Sequence, residues 1–524
     1  MEIVEGAAAI AERYPANLAD ESRASGRADV LAFPLCEADV AEAVRRAAAA
    51  GMPVTVASGR TGIAAGCVPD GGMLISLERM TALAIEGENL AAEAQRTNPN
   101  ALHPPPSTLH RFAAHCGPGV TLAKLAEELA RHDPPLFLPP NPTETTAQVG
   151  GAVAANASGS RSYRWGAVRR YVQALRVVLA CGDVLALRRG ECLAGPDGFE
   201  ISLPGGRTLH VPVPAYQMPD VKNAAGYYAA PGMDLVDLFV GSEGTLGIVA
   251  EATLAVEPEP ESTVAIQGFF RDEEHALGFV RAVRDGPSAG VPALTQAIEY
   301  FDSGSLQLLA EKRIADGPGS EVPETPAGAG AAVLVEVIGS EAETGDALET
   351  IAALIYEFGG DPEKAWAGLD ERERARLAAF RHALPEAVNS LIGRTRTNHP
   401  GLTKVGTDMA VPAESLETLL AAYRRSLGGA GLRYVIFGHI GDSHLHANVL
   451  PRDMKEYETA KALYLELAAL AVRLGGTISA EHGVGKLKKK LLALMYGPEG
   501  IEAMRRVRRA LDPGNLLGRG TMFD

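Results

Sequence analysis

Cysteine is scarce in this chain: five residues in 524, scattered, with no CxxC pair. That excludes a disulfide framework and leaves no thiolate set for an iron–sulfur cluster within the chain. Positive charge is also short, with 49 Lys and Arg against 65 Asp and Glu and a formal net charge of −16. Nucleic-acid binding needs clustered cations, so no nucleic-acid partner is expected. The one basic run, Lys486–Lys490 followed by Arg505, Arg506, Arg508 and Arg509, reads as the solvated face of amphipathic helices. No uncharged apolar run reaches the roughly 18 residues a membrane span requires, so no transmembrane segment is expected. The opening MEIVEGAAAIAERYP lacks the basic and apolar regions of a signal peptide and reads as an acidic amphipathic helix. A reducing, cytoplasmic setting fits the cysteine usage, with peripheral attachment to the inner face of a membrane left open.

The length implies two or three domains. Residues 29–60 read as strand, helix, strand: Val30–Phe33, a helix with Val40, Ala43, Val44 and Ala47 on one face, then PVTVASG. An apolar strand, Met73–Leu77, follows an irregular loop. Prolines cluster at Pro104–Pro106 and Pro134–Pro142 around a predicted helix, Leu122–Ala130. Ala174–Leu187 predicts a hairpin turning at Cys181-Gly182-Asp183, residues 190–232 long loops, and DLFVGSEGTLGIVAEATLAVEP a strand, a glycine-rich turn and a second strand. The Glu257–Glu261 run of alternating Glu and Pro marks a domain boundary. Beyond it, strands (Val264–Phe270, Val333–Ile338, Tyr434–His439) alternate with helices (Glu273–Arg284, Ala342–Phe358, Ala413–Leu427). That is an α+β pattern, an antiparallel sheet with helices on one face.

Four segments carry chemistry. Ser58-Gly59-Arg60-Thr61-Gly62 follows a strand and is either a phosphate-binding loop or a plain turn. Pro139–Gly166 is nearly all small residues, which suits backbone wrapped against something flat and polar. Gly241–Val249 is a further glycine-rich turn, and three such segments suit a nucleotide-like cofactor in a groove. The fourth is FGHIGDSHLHANVLP (Phe437–Pro451) with GGTISAEHGVGK (Gly475–Lys486). There His439 and His446 face each other across a turn, with Glu481 available as a carboxylate. Spacing alone leaves two readings, a shared divalent ion or imidazoles that satisfy backbone groups.

In this order, PNPTETTAQVGG…NASGS, DLFVGSEGTLGIV, GHIGDSHLH and ISAEHGVG resemble the FAD-linked oxidase family of the vanillyl-alcohol oxidase superfamily. Within it they resemble the D-lactate, glycolate and D-2-hydroxyglutarate dehydrogenase branch, from about residue 25 to the C-terminus. The resemblance implies a PCMH-type FAD-binding domain of two α+β subdomains (1–260). An α+β substrate cap with an antiparallel sheet (261–485) and a C-terminal helical segment packing back on the FAD domain (486–524) would follow. Ser58–Gly62 would cradle the pyrophosphate. Pro140, Thr143, Gly150, Gly151, Ala154, Asn156, Ser158 and Gly159 would line the flavin and ribityl chain, and Glu243, Gly244 and Ile248 the adenosine end. The SGRTG loop carries no His or Cys for a covalent link, so FAD is expected to be non-covalent.

The same resemblance makes His439, His446 and Glu481 ligands of a divalent metal (Zn²⁺, Mn²⁺ or Fe²⁺), His482 the general base, Asn448 a substrate contact and Arg381 the grip on the substrate carboxylate. The implied reaction is metal-assisted oxidation of a D-2-hydroxy acid, D-lactate first, by hydride transfer to flavin N5. D-2-hydroxyglutarate and glycolate are the alternatives. Electrons would leave to a separate acceptor: a quinone, an electron-transfer flavoprotein or an iron–sulfur protein. Three departures stand out. The usual GDGNLH is GDSHLH, putting His444 at an Asn position, where an outward-facing imidazole is the expectation and a substrate contact or metal ligand the alternative. A family lysine position is Gly406, with Lys404 two residues earlier. The usual LNPGK is LLGRG (Leu516–Gly520).

Overall fold

The computed structural model describes residues 1–87, 112–204, 206–286 and 290–524; the Pro104–Pro106 cluster falls outside them. The chain opens on a strand, Glu2–Glu5, ahead of the helix Ala7–Arg13, so the amphipathic helix read at the N-terminus begins later than expected. That strand runs antiparallel to Val30–Phe33, which is parallel to Met73–Ser76, itself parallel to Val54–Ala57. The intervening helix, Glu37–Ala49, buries Val40, Ala43, Val44 and Ala47 against this sheet, as its 3.6-residue spacing predicts.

A second sheet is antiparallel, with Ile248–Pro258 at its centre between Phe112–Cys116 and Val172–Val178. The hairpin of Val172–Val178 and Val184–Arg188 turns where the sequence predicts. Two readings change. Residues 190–232 are loops except for a short hairpin, Phe199–Ser202 with Thr208–Val211. Leu235–Phe239 is a helix rather than a strand. The Asp234 carboxylate accepts from the Val236 N–H at 2.9 Å, a cap that converts an apolar run from extended to helical.

The central strand of this sheet ends at Pro258, and Ser262–Phe270 opens a third, wholly antiparallel sheet of eight strands. Its helices cover both faces, not one. Ile266 and Val335 pack with Phe279 and Ile355, whereas Ala265, Phe269 and Leu334 pack with Leu309, Phe380 and Leu384. Both alternations of these strands are apolar, and both must be covered. The helix that closes the second face, Glu371–Arg396, carries Arg381.

The C-terminal segment returns to the first sheet. The Val54 N–H donates to Leu516 O at 2.8 Å and the Gly518 N–H to Val54 O at 2.8 Å. The basic run is not wholly solvated. Arg508 is 5% exposed and donates to Leu517 O, and the Lys488 ammonium is buried on Asp408. No helix among the described residues is long and apolar enough to cross a membrane.

Candidate functional site

A cavity of about 380 Å³ is lined by loops and strands of the first two sheets and, at one end, by Glu481 and His482. Of the sixteen predicted cofactor residues, fourteen line it: the whole Ser58–Gly62 loop, Thr143, Gly150, Gly151, Ala154, Ser158, Gly159, Glu243, Gly244 and Ile248. The small-residue segment forms its floor as a short helix, Val149–Ala154, and a turn. Small residues are required there. A Cβ on Gly159 would sit 1.8 Å from Asn141 O, and one on Gly150 2.5 Å from Pro118 Cβ.

Pro140 and Asn156 do not line the cavity. Asn156 works behind its wall, its side chain accepting from the Arg169 N–H at 3.1 Å and donating to Asn223 O at 3.4 Å. Gln148, Ala64 and Ser242, which the sequence reading did not select, do line it. Gln148 and Ser242 lie within the small-residue and glycine-rich segments already singled out, whereas Ala64 lies in the loop after Gly62.

Glu243 also stitches two loops together. Its carboxylate accepts the Val484 and Gly485 N–H groups, both at 2.7 Å. Burial outweighs those bonds and pushes its carboxyl up to about 7 from 4.5. The fold therefore favours the protonated form, whose contribution is complete below pH 4.5 and is lost as pH rises through 7. Glu243→Gln is neutral throughout. From pH 5 to 8 its unfolding stability should gain on the wild type by up to roughly 3 kcal/mol, whatever constant offset the amide adds. Parallel pH profiles in thermal melts would refute the burial argument.

At one end of the cavity Glu481 and His482 face in, and behind them stands the histidine cluster. The strand Tyr434–Gly438 delivers His439, and the returning strand His444–Val449 puts His444, His446 and Asn448 on one face by its two-residue alternation. Ligand atoms of His439, His444, His446 and Glu481 all lie within 4.8 Å of one another. His439 Nε2 is 3.1 Å from one Glu481 oxygen, and His446 Nε2 is 3.9 Å from the other. Their remaining nitrogens are held from behind, His439 Nδ1 by Glu299 at 2.5 Å and His446 Nδ1 by Thr407 O at 2.9 Å. Lys222 also donates to Glu481, and Ser158 Oγ does so at 3.2 Å.

The expected outward-facing His444 is wrong: its side chain is fully buried, with Nε2 3.1 Å from Asp408 Oδ1. The Gly-Asp-Ser turn, with Ser443 in the left-handed region, swings it inward. Asp408 is a hub. It is 0% exposed and its other oxygen takes His482 Nδ1 at 3.2 Å, Lys488 Nζ at 2.8 Å and Ser479 Oγ at 2.7 Å. Burial would raise this carboxyl, but His482 and Lys488 beside it hold it well below the usual carboxylate range. Burial likewise depresses His444 and His446, keeping both rings in the neutral, ligating form.

Arg381 reaches the cluster indirectly. Its Nε donates to Glu299 at 3.0 Å, the same carboxylate that holds His439. Arg381 and His439 draw the Glu299 carboxyl down to about 2 against the cost of burial. Glu299 was not anticipated, although an acid in the middle of the apolar strand Thr295–Asp302 was a legible signal. Lys222, in an irregular loop, gave none. Gly406 pairs with Asn448, and a Cβ there would lie 2.7 Å from Asn448 Oδ1, so no lysine fits without moving it. Lys404 is half-buried, has no acid partner among the described residues, and is held below its ordinary value by burial and by the Arg23 charge.

Residues 259–522 match the C-terminal domain of the FAD linked oxidases, and residues 28–101 and 108–188 match an FAD binding domain. The chain is 29% identical over 477 residues to the glycolate oxidase subunit GlcD of Bacillus subtilis, covering 90% of this chain and 84% of that protein. It is 27% identical over 496 residues to a D-lactate dehydrogenase of Archaeoglobus fulgidus, covering 94% and 90%. In fold it is similar to the 4-ethylphenol oxidase of Gulosibacter chungangensis, with a TM-score of 0.65, 19% identity, and 99% and 94% of the two chains covered.

Proposed function

The chain belongs to the FAD-linked oxidase family, and from that premise we propose that it oxidises a D-2-hydroxy acid, D-lactate first, to the 2-oxo acid. It is an FAD-dependent oxidoreductase of the D-lactate, glycolate and D-2-hydroxyglutarate dehydrogenase branch. One observation carries the reading: His482, oriented by Asp408, shares a wall of the small-residue cavity with Glu481 of the histidine cluster.

The residues present fit both groups the reaction needs. The Ser58–Gly62 loop and the 143–159 segment offer backbone and little side-chain bulk to a non-covalent FAD. Two imidazoles with one carboxylate are a donor set for a divalent transition ion, which His439, His446 and Glu481 would hold. Bound FAD supplies the hydride acceptor at N5, and the ion supplies Lewis acidity toward the α-hydroxyl.

The chain's own part begins at His482. Nδ1–H donates to Asp408, which leaves Nε2 as the acceptor for the hydroxyl proton. Arg381 keeps its outer guanidinium edge for the substrate carboxylate while its Nε is committed to Glu299. Asn448, on the His446 face of its strand, is the further substrate contact. Electrons leave to a separate acceptor, a quinone, an electron-transfer flavoprotein or an iron–sulfur protein. A dicarboxylate such as D-2-hydroxyglutarate is the second reading, favoured by the unpaired Lys404 ammonium beside Arg23.

The purified protein should be yellow, release FAD on denaturation and bleach anaerobically with D-lactate. A panel of D- and L-2-hydroxy acids, glycolate and D-2-hydroxyglutarate included, ranks the substrates by bleaching rate. A colourless protein that releases no flavin sinks the proposal. Chelation should slow bleaching by about 100-fold or more, the several kcal/mol of charge stabilisation an ion supplies. Zn²⁺, Mn²⁺ or Fe²⁺ should restore it, and a rate indifferent to chelator would remove the metal from the reading.

A further inference from the structure

We propose that His444 is a fourth protein ligand to the ion, bound through Nδ1, which makes the site three imidazoles and one carboxylate. The inference rests on the metal reading above and sharpens it.

The three imidazoles are built alike. Each has one nitrogen engaged from behind by an acceptor: His439 Nδ1 by the Glu299 carboxylate, His446 Nδ1 by the Thr407 carbonyl, His444 Nε2 by the Asp408 carboxylate. An N–H held by a carboxylate or carbonyl fixes the tautomer and leaves the opposite nitrogen as a lone-pair donor, the arrangement found behind metal-bound histidines. In His444 that opposite nitrogen, Nδ1, is fully buried and has no hydrogen-bond partner among the described residues. A buried polar atom left unsatisfied costs about 1–3 kcal/mol, so it calls for a partner from outside the chain. Its ring stands 4.4 Å, centroid to centroid, from that of His446, and the residue supplies a donor within 4.8 Å of those of His439, His446 and Glu481.

Four protein donors have a chemical consequence. A tetrahedral ion would be saturated and could not also take a substrate hydroxyl. Activity therefore needs an ion that takes a fifth or sixth ligand, as Mn²⁺ and Fe²⁺ do readily and Zn²⁺ does on expanding to five, with the added position open to the substrate hydroxyl. It also withdraws His444 as a second cation for a dicarboxylate, leaving Lys404 alone in that role.

The test uses the full-length FAD-loaded protein, stripped of metal and titrated with Co²⁺. Proton NMR of the paramagnetic protein should show three hyperfine-shifted, exchangeable imidazole N–H resonances, one for each ring held from behind. His444→Asn should lose one of them and weaken Co²⁺ binding by about 10–100-fold or more, with the flavin spectrum retained. His446→Ala serves as the reference for loss of a ligand from the three-residue site proposed above. Two resonances in the wild type, or a His444→Asn variant with unchanged Co²⁺ affinity, overturns the fourth ligand while the three-residue site stands. A wild type that does not bind Co²⁺ at all overturns both readings. Because the wild-type count decides on its own, misfolding of the variant leaves the test intact.

Discussion

Replacing His482 with asparagine should slow anaerobic flavin reduction by about 10²–10⁴-fold, the range a positioned general base contributes, and leave the protein yellow. The geometry sets that expectation. The ring stacks on His446 at 5.4 Å and 16° and is anchored through Nδ1 to Asp408, so its position does not depend on substrate. Asparagine retains a polar group toward Asp408 but has no basic nitrogen to accept the hydroxyl proton. Because His482 opens more widely to the cavity than Glu481 beside it, its side chain 30% exposed against 14%, the loss should fall on proton transfer rather than on folding or flavin retention. The smaller His482→Ala variant leaves a hole beside Asp408, and added imidazole should restore part of its rate. A His482→Asn protein that bleaches at the wild-type rate would remove His482 as the base. A protein that loses its flavin would mean that the residue supports the cavity instead.

Much of the frame was legible because local periodicity and tertiary burial agree there. Leu122–Ala130 is helical as its spacing predicts, with Leu125 and Leu129 buried and Thr121 capping the Lys124 N–H at 3.1 Å. Leu235–Phe239 was not legible as a helix, since five residues carry too little periodicity to outweigh an apolar run, and only the Asp234 cap decides it. The third sheet was read as one-faced because the helices of its second cover, Ser303–Asp316 and Glu371–Arg396, were not among the helices read from the sequence.

The histidine cluster shows the same division. His439 and His446 stand on neighbouring strands joined by a tight turn, so their meeting follows from spacing. Glu299 and Lys222 come from 140 and 259 positions away from the groups they touch, and no local pattern announces such pairs. Lys488 was misread for a related reason. It belongs to a run that looks like a solvated face, yet the turn before the helix Lys489–Leu511 directs it inward onto Asp408.

Asp408 ties these groups together, and its replacement is the second large effect to expect. Every partner it has is a donor: His444 Nε2, His482 Nδ1, Lys488 Nζ, Ser479 Oγ and the backbone N–H groups of Glu481 and His482. Asparagine would set an amide N–H₂ among groups that, apart from the Ser479 hydroxyl, only donate to this carboxylate, and would leave the Lys488 ammonium, 13% exposed, without its counter-charge. Breaking a buried pair from one side costs about 3–5 kcal/mol, so Asp408→Asn should unfold at clearly lower denaturant than the wild type. Adding Lys488→Met removes the stranded charge and should recover most of that stability. Flavin reduction should not recover with it, because an amide keeps one oxygen where the carboxylate has two, and His482 and His444 are held by different oxygens, so one of the two rings loses its acceptor. Stability restored together with activity would show that Asp408 serves only to neutralise Lys488. An Asp408→Asn protein that unfolds with the wild type would show that the hub is not energetically coupled at all.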